Sequence, residues 1–201
     1  MLKNIYAPPI LIYLIGNDEI LNNKSIGIVG CRESSNYGNK SACSIAYELS
    51  KRKINVISGL AKGIDANAHI GSVMAKSTGK TIAVLGNGID TIYPKENKNI
   101  AEMILKSGGA IITEYPLGTK PEKQNFPLRN RIISGISNGI VVVEAKEKSG
   151  TLITVDFALE QGRNVYCVPG NIDSKNSYGT NNLIKQGAKV FTEMNDILED
   201  M

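Results

Sequence analysis

Tryptophan is absent, histidine occurs once and cysteine only three times in this chain of 201 residues. One histidine and three cysteines (Cys31, Cys43 and Cys167) without a C-x-x-C pair leave too few ligands for a Cys/His zinc site. The three thiols cannot all pair with one another, so a reducing compartment is expected. No apolar run approaches the ~20 residues that span a bilayer. The most apolar early stretch, Ile10 to Ile15, is too short for that, and no small-residue cleavage site follows it. These absences predict a cytoplasmic, metal-free protein without a signal peptide or membrane segment.

What is present is ordinary globular material. Hydrophobic residues make up 42% and charged residues 21%, which excludes a disordered chain. A chain of this length buries about 70% of its unfolded surface and folds without disulfide or metal. No repeat at a fixed period and no low-complexity linker interrupts it. Basic residues exceed acidic ones by four, an excess that matters only where it is concentrated.

Short β-rich runs alternate with longer segments of helical periodicity. Strands are expected at 26–30, 54–57, 81–86, 110–113, 140–144 and 164–168, and helices at 39–53, 65–76, 96–106, 128–137 and 151–161. A smaller helix–strand–helix unit finishes the chain. The run Ile140-Val141-Val142-Val143 is of the kind buried on both faces of a sheet. Strands separated by helices five or six times over imply a doubly wound α/β domain with a mostly parallel sheet and right-handed crossovers. Residues 1–24 do not join this pattern and are expected to form an extension packed on a domain at 25–201. The one long irregular connection is the loop 114–125, a length that in compact domains tends to be functional.

In open parallel sheets, ligands bind outside the carboxyl ends of the strands. The turns there begin at Gly30, Ser58, Gly86 and Glu144, and each is rich in glycine or small polar residues. Arg32, Lys62, Lys146 and Lys148 add positive charge along the same edge. Glycine admits a phosphate close to the backbone, and helix N-termini attract anions, so this edge is expected to bind phosphate. The dinucleotide fingerprint is missing after the first strand, and the second strand ends in Ser58-Gly59 where a ribose-binding acid would stand, which argues against NAD. Gly79-Lys80-Thr81 looks like the end of a Walker motif, but Met74 replaces its first glycine and Thr81 opens a strand.

The segment from Lys120 to Arg131 is the most informative. Lys120, Lys123, Arg129 and Arg131 stand against Glu122 alone, and Phe126 lies among them. A basic groove with an aromatic face is what single-stranded nucleic acid uses, the backbone being tracked by charge while bases stack. The alternative is that Phe126 anchors the loop to the core and the arginines pair with neighbouring acids. Catalysis has little support. His69 lies inside a helix with no nucleophile at an obvious spacing, Asp65 is expected to cap that helix, and Cys31 fills a tight turn. No carboxylate pair suits acid–base work.

Several of these motifs together resemble the DprA/Smf DNA-processing family. Ile28-Val29-Gly30-Cys31-Arg32 with Tyr37-Gly38 is similar to its opening turn, and Ser58 to Asp65 to its second. Phe126-Pro127-Leu128-Arg129-Asn130-Arg131 is similar to its signature segment. Ser149 to Thr154, Gly162-Arg163 and Val168-Pro169-Gly170 follow in order. The resemblance covers about residues 5–200. It implies an extended Rossmann-like domain that binds single-stranded DNA, dimerises and helps to load the RecA recombinase in natural transformation and recombination, with no catalytic role and no cofactor. Many members carry a helical domain before this region and a winged helix after it; the resemblance here is to the domain between them. By motif position it assigns DNA binding to Gly30, Arg32, Ser58, Gly59, Lys62 and Gly63, then to Lys123, Phe126, Arg129 and Arg131, and to Gly150 and Thr151. Two other uses of the pocket compete, a nucleotide sensor and a LOG-like nucleotide phosphoribohydrolase. Thr154 stands where the latter's catalytic glutamate would be.

Overall fold

A computed structural model describes residues 2–201. The chain runs β1 (Tyr13–Gly16), β2 (Ser25–Val29), α1 (Asn36–Lys51), β3 (Asn55–Ser58), α2 (Ile64–Met74), β4 (Thr81–Val84), α3 (Lys98–Lys106) and β5 (Ala110–Thr113). It continues with α4 (Asn125–Gly135), β6 (Gly139–Val142), α5 (Gly150–Glu160), β7 (Asn164–Cys167), α6 (Tyr178–Lys185), β8 (Lys189–Val190) and α7 (Asn195–Leu198). The eight strands form one sheet in the order β1-β5-β4-β3-β2-β6-β7-β8. Every pairing is parallel except that of β1 with β5. This is the expected doubly wound, Rossmann-like α/β architecture.

Alternation along the strands divides the core into two layers. Ile26, Ile28, Val56, Val141 and Val143 meet Ala42, Ile45 and Leu49 of α1 and Ile64 and Ala68 of α2 on one face. Ala83, Leu85 and Ile111 continue that face against Ala101 and Ile104 of α3. Val29, Ile57, Val84, Ile112, Ile140 and Val142 point the other way, onto Ile132, Ile133 and Ile136 of the α4 end and Val155 and Ala158 of α5. Since both faces are covered, the central strands carry apolar side chains at successive positions. After β2 the chain winds outward through β3, β4 and β5, and after β6 it winds the other way. The switch point therefore lies between β2 and β6, where a crevice opens at the strands' carboxyl ends.

Three differences from expectation have physical causes. Residues 13–16, in the segment read as an extension, form an antiparallel edge strand against β5, with Tyr13 opposite Thr113. Helix α4 begins at Asn125 and not near 128, because Pro127 falls in its first turn, where a helix needs no N–H donor. Asp65 does not cap α2: Gly63 holds the cap position without a side-chain bond, and the Asp65 carboxylate turns back to the preceding loop.

Candidate nucleic-acid interface

A groove of about 530 Å³ opens at the switch point, walled by the loops after β2 and β6 and by the start of α4. Of the expected residues, Gly30, Arg32, Lys123, Phe126, Arg129, Gly150 and Thr151 line it. A smaller recess of about 70 Å³ adjoins it, bordered by Gly59, Lys62, Tyr93 and Pro94 and sharing Arg32, Phe126 and Arg129 with the groove. The Walker-like Gly79-Lys80 pair opens β4 at the strand's amino end and takes no part.

Phe126 is the centre of this wall. Its half-buried ring lies 5.5 Å from the Arg32 guanidinium carbon and 5.9 Å from that of Arg129, and 5.5 Å from the ring of Tyr93. Arg32 is exposed and extends into the groove, whereas Arg129 is buried. Arg129 donates from Nη1 to the carbonyls of Gly59, at 2.8 Å, and of Val84, and from Nε to Asn130 Oδ1 at 3.2 Å. Burial holds its pKa down to about 10, with the Asp65 charge working against that fall. Asp65 accepts from the amides of Gly59 at 3.1 Å and Ala61 at 3.3 Å; burial raises its pKa, with Arg129 opposing. Desolvation thus outweighs attraction for both partners. The two side chains grip the Gly59 backbone from its carbonyl and its amide and so fix the second turn, where buried Leu60 holds a left-handed φ of 57°.

The other sequence-assigned residues divide by exposure. Ser58 is buried and its hydroxyl donates to Ile28 O at 2.7 Å, tying β3 to β2. Gly63, at φ 76°, packs where a Cβ would strike the carbonyls of Cys31 and Arg32, so glycine is what lets the first two turns touch. Lys62 is exposed and paired with Glu96 at 2.6 Å; Lys146 is likewise paired with Glu33 at 2.7 Å. Each pairing holds its carboxyl below the usual range. Arg131 is not brought to the groove. It donates from Nη1 and Nη2 to Glu114, each at 2.6 Å, and from Nε to Ala7 O at 3.0 Å.

Two of the phosphate-attracting turns already hold a carboxylate of the protein's own. Asp65 occupies the amides of the second turn. Buried Glu144, at the end of β6, accepts from the Ser35 amide at 2.9 Å and the Ser35 hydroxyl at 2.5 Å, where α1 begins. The N-terminus of α5 is different: Ser149 caps it, and Gly150 stands exposed beside Lys148 on the groove wall. His69 and Cys31 have the structural roles expected of them. His69 is buried with Nδ1 2.6 Å from Thr81 Oγ1, and Cys31 is buried in its turn with a thiol pKa raised by that burial. Tyr93 carries no signal in the sequence beyond its residue type, and Asp65 signals only a helix cap; their roles depend on which loop faces which.

The family model for DNA recombination-mediator protein A matches residues 1–201. The chain is 43% identical over 201 residues to DNA processing protein DprA of Bacillus subtilis, covering all of this chain and 67% of that protein. It spans only 51% of protein Smf of Escherichia coli, to which it is also 43% identical. The X-ray structure of Streptococcus pneumoniae DprA superposes with a TM-score of 0.92 at 41% identity, over 98% of this chain and 69% of that one. Helicobacter pylori DprA, whose structure is described as showing a single-stranded DNA binding mode, superposes with a TM-score of 0.88 at 26% identity, over 97% and 88%. This chain belongs to the DNA recombination-mediator protein A family.

Proposed function

We propose that this domain binds single-stranded DNA in the switch-point groove and does no chemistry on it. The observation that carries the reading is the Arg32–Phe126 pair: an exposed guanidinium beside an aromatic face, in a groove that also holds Lys123, Lys148 and the α5 N-terminus. Phosphates are neutralised by Arg32, Lys123 and Lys148, one of them resting at the exposed Gly150 in the first turn of α5, where Ser149 already takes the Thr151 amide. A base stacks on Phe126, worth ~1–3 kcal/mol. Stacking and phosphate contacts carry little base information, so sequence preference is weak. Among the described residues, the only carboxylate on the groove wall, Asp65, is turned to backbone amides, and Thr154 stands at the position of the hydrolases' glutamate, which supports binding over hydrolysis.

The relatives' DNA-processing role extends the reading. The bound strand is protected in the cytoplasm and handed to RecA, and two copies bound to one strand gain avidity from each other. Fluorescence anisotropy of a labelled ~20-nucleotide oligonucleotide, single-stranded and then duplexed, at two salt concentrations, tests the core of it. Salt-sensitive binding that prefers the single strand is expected. Absence of binding to both forms would overturn it and direct the same assay to free nucleotides.

A further inference from the structure

Tyr93 is the unexplained feature of the groove wall. It follows β4 in a loop outside the family-like motifs, yet the residue is 40% exposed and borders both the groove and the small recess. Among the described residues its hydroxyl makes no hydrogen bond, whereas exposed Tyr37, outside the groove, is fastened by its hydroxyl to Pro169 O at 2.9 Å. A ring that is part exposed on a groove wall, with its hydroxyl free, offers a flat apolar face that a ligand can cover.

The geometry limits what that something is. The Tyr93 and Phe126 centroids are 5.5 Å apart and their planes 35° apart. A base slotted between two rings needs twice a van der Waals separation, roughly 7–8 Å. The two rings are too close for that. They form a stepped platform, with the exposed Arg32 guanidinium over Phe126, where an incoming base would take its place, and Lys62 on the border of the same recess. Cations spaced along a pair of neutral π-faces match a polymer that alternates anionic links with flat apolar rings.

We propose that Tyr93 is a second nucleobase platform, so that the groove holds two consecutive nucleotides, one base on Phe126 and the next on Tyr93. This rests on the single-stranded DNA reading above. Three consequences follow from stacking as the mechanism: the contact is indifferent to base identity, needs no hydroxyl and contributes nothing to counterion release.

The experiment compares Tyr93→Ala, Tyr93→Leu and Tyr93→Phe in the full chain, using 20-nucleotide oligothymidylate and an abasic backbone of equal length. With oligothymidylate, the Ala and Leu variants are expected to bind roughly 5- to 100-fold more weakly and the Phe variant within twofold of wild type. With the abasic strand, all three are expected to match wild type, and the salt slope to stay unchanged. The Leu variant keeps apolar packing, so it reports on the π-face even if the Ala variant does not fold. Equal losses on both strands would make Tyr93 a scaffold residue and overturn the proposal, as would full-strength binding by Tyr93→Leu. Failure of wild type to bind either strand would instead remove the DNA reading and the platform with it.

Discussion

Arg131 and Glu114 meet in a two-point ion pair, with both N···O distances at 2.6 Å and side chains left 10% and 18% exposed. The pair joins α4 to the end of β5, and the Arg131 Nε bond to Ala7 O ties in the N-terminal segment. Removing one member leaves the other charge largely desolvated. Arg131→Ala should therefore destabilise the domain by about 2–4 kcal/mol in urea titration, with Glu114 left unpaired. Its salt slope for oligonucleotide binding should match wild type; a slope flattened as much as by loss of a groove cation would return Arg131 to the DNA-contacting set.

Arg32 behaves in the opposite way. It is exposed, and its contact within the protein is the face of Phe126. Arg32→Ala should leave the unfolding midpoint within error, weaken oligonucleotide binding and flatten the log–log salt dependence by ~0.7. Anisotropy titrations at four or five salt concentrations measure it, and an unchanged slope counts against Arg32 as a phosphate contact.

Lys62 is held by Glu96 at 2.6 Å, in a pair whose side chains are both more than half exposed. Such a pair contributes little to stability, so an incoming phosphate displaces the carboxylate easily. Glu96→Gln frees the cation without changing its surroundings. Tighter single-strand binding with a steeper salt slope is the expected result, and a slope unaltered by the change would place Lys62 outside the DNA track.

The pH dependence of stability should carry a histidine component. Buried His69 has its pKa lowered to about 3, chiefly by desolvation, against a usual value of 6.5. Thr81 donates its hydroxyl to Val56 O, so His69 donates from Nδ1 and its buried Nε2 stays without a partner. The unfolded chain takes up this proton as pH falls below 6.5, while the folded chain resists until about 3. Stability from this group is thus complete above 6.5 and lost on acidification, by about 1.4 kcal/mol per pH unit across that window. Asp65, whose pKa is raised by burial, contributes with the opposite sign. Urea midpoints at pH 6.5, 5.5 and 4.5 should fall more steeply for wild type than for His69→Gln; parallel profiles would show that the imidazole does not titrate on unfolding.

The sheet was legible because its strands declare themselves. Ile140 to Val143 is uninterrupted apolar chain, and Ala42, Ile45, Ala46 and Leu49 repeat at the helical period. Strand β1 was not, since the apolar run Ile10 to Ile15 that leads into it stands outside the strand–helix alternation and its partner strand lies one hundred residues away. The groove was legible as a set of residue types: Arg32, Phe126 and Gly150 stand where the motifs implied. What the chain does not display is commitment. Arg129 and Arg131 read alike as basic residues two positions apart, and only the surrounding fold buries one under Phe126 beside Asp65 and turns the other to Glu114. The amides of the second turn look equally available until Asp65 is seen to hold them.

The antiparallel edge has a consequence for how the chain is made. Tyr13 pairs with Thr113, one hundred residues further along, so β1 leaves the ribosome long before its only partner strand exists. At roughly 5–20 residues per second the wait lasts roughly 5–20 s. Throughout it the apolar stretch Ile10 to Ile15 has nothing to pair with, and Ile10 and Leu11 remain on the surface even after folding. The inner parallel strands β2 and β3 meet early, while closure of this flank waits for β5. A chaperone that follows the nascent chain would meet Ile10 to Ile15 as a sticky, unclosed end for most of that interval.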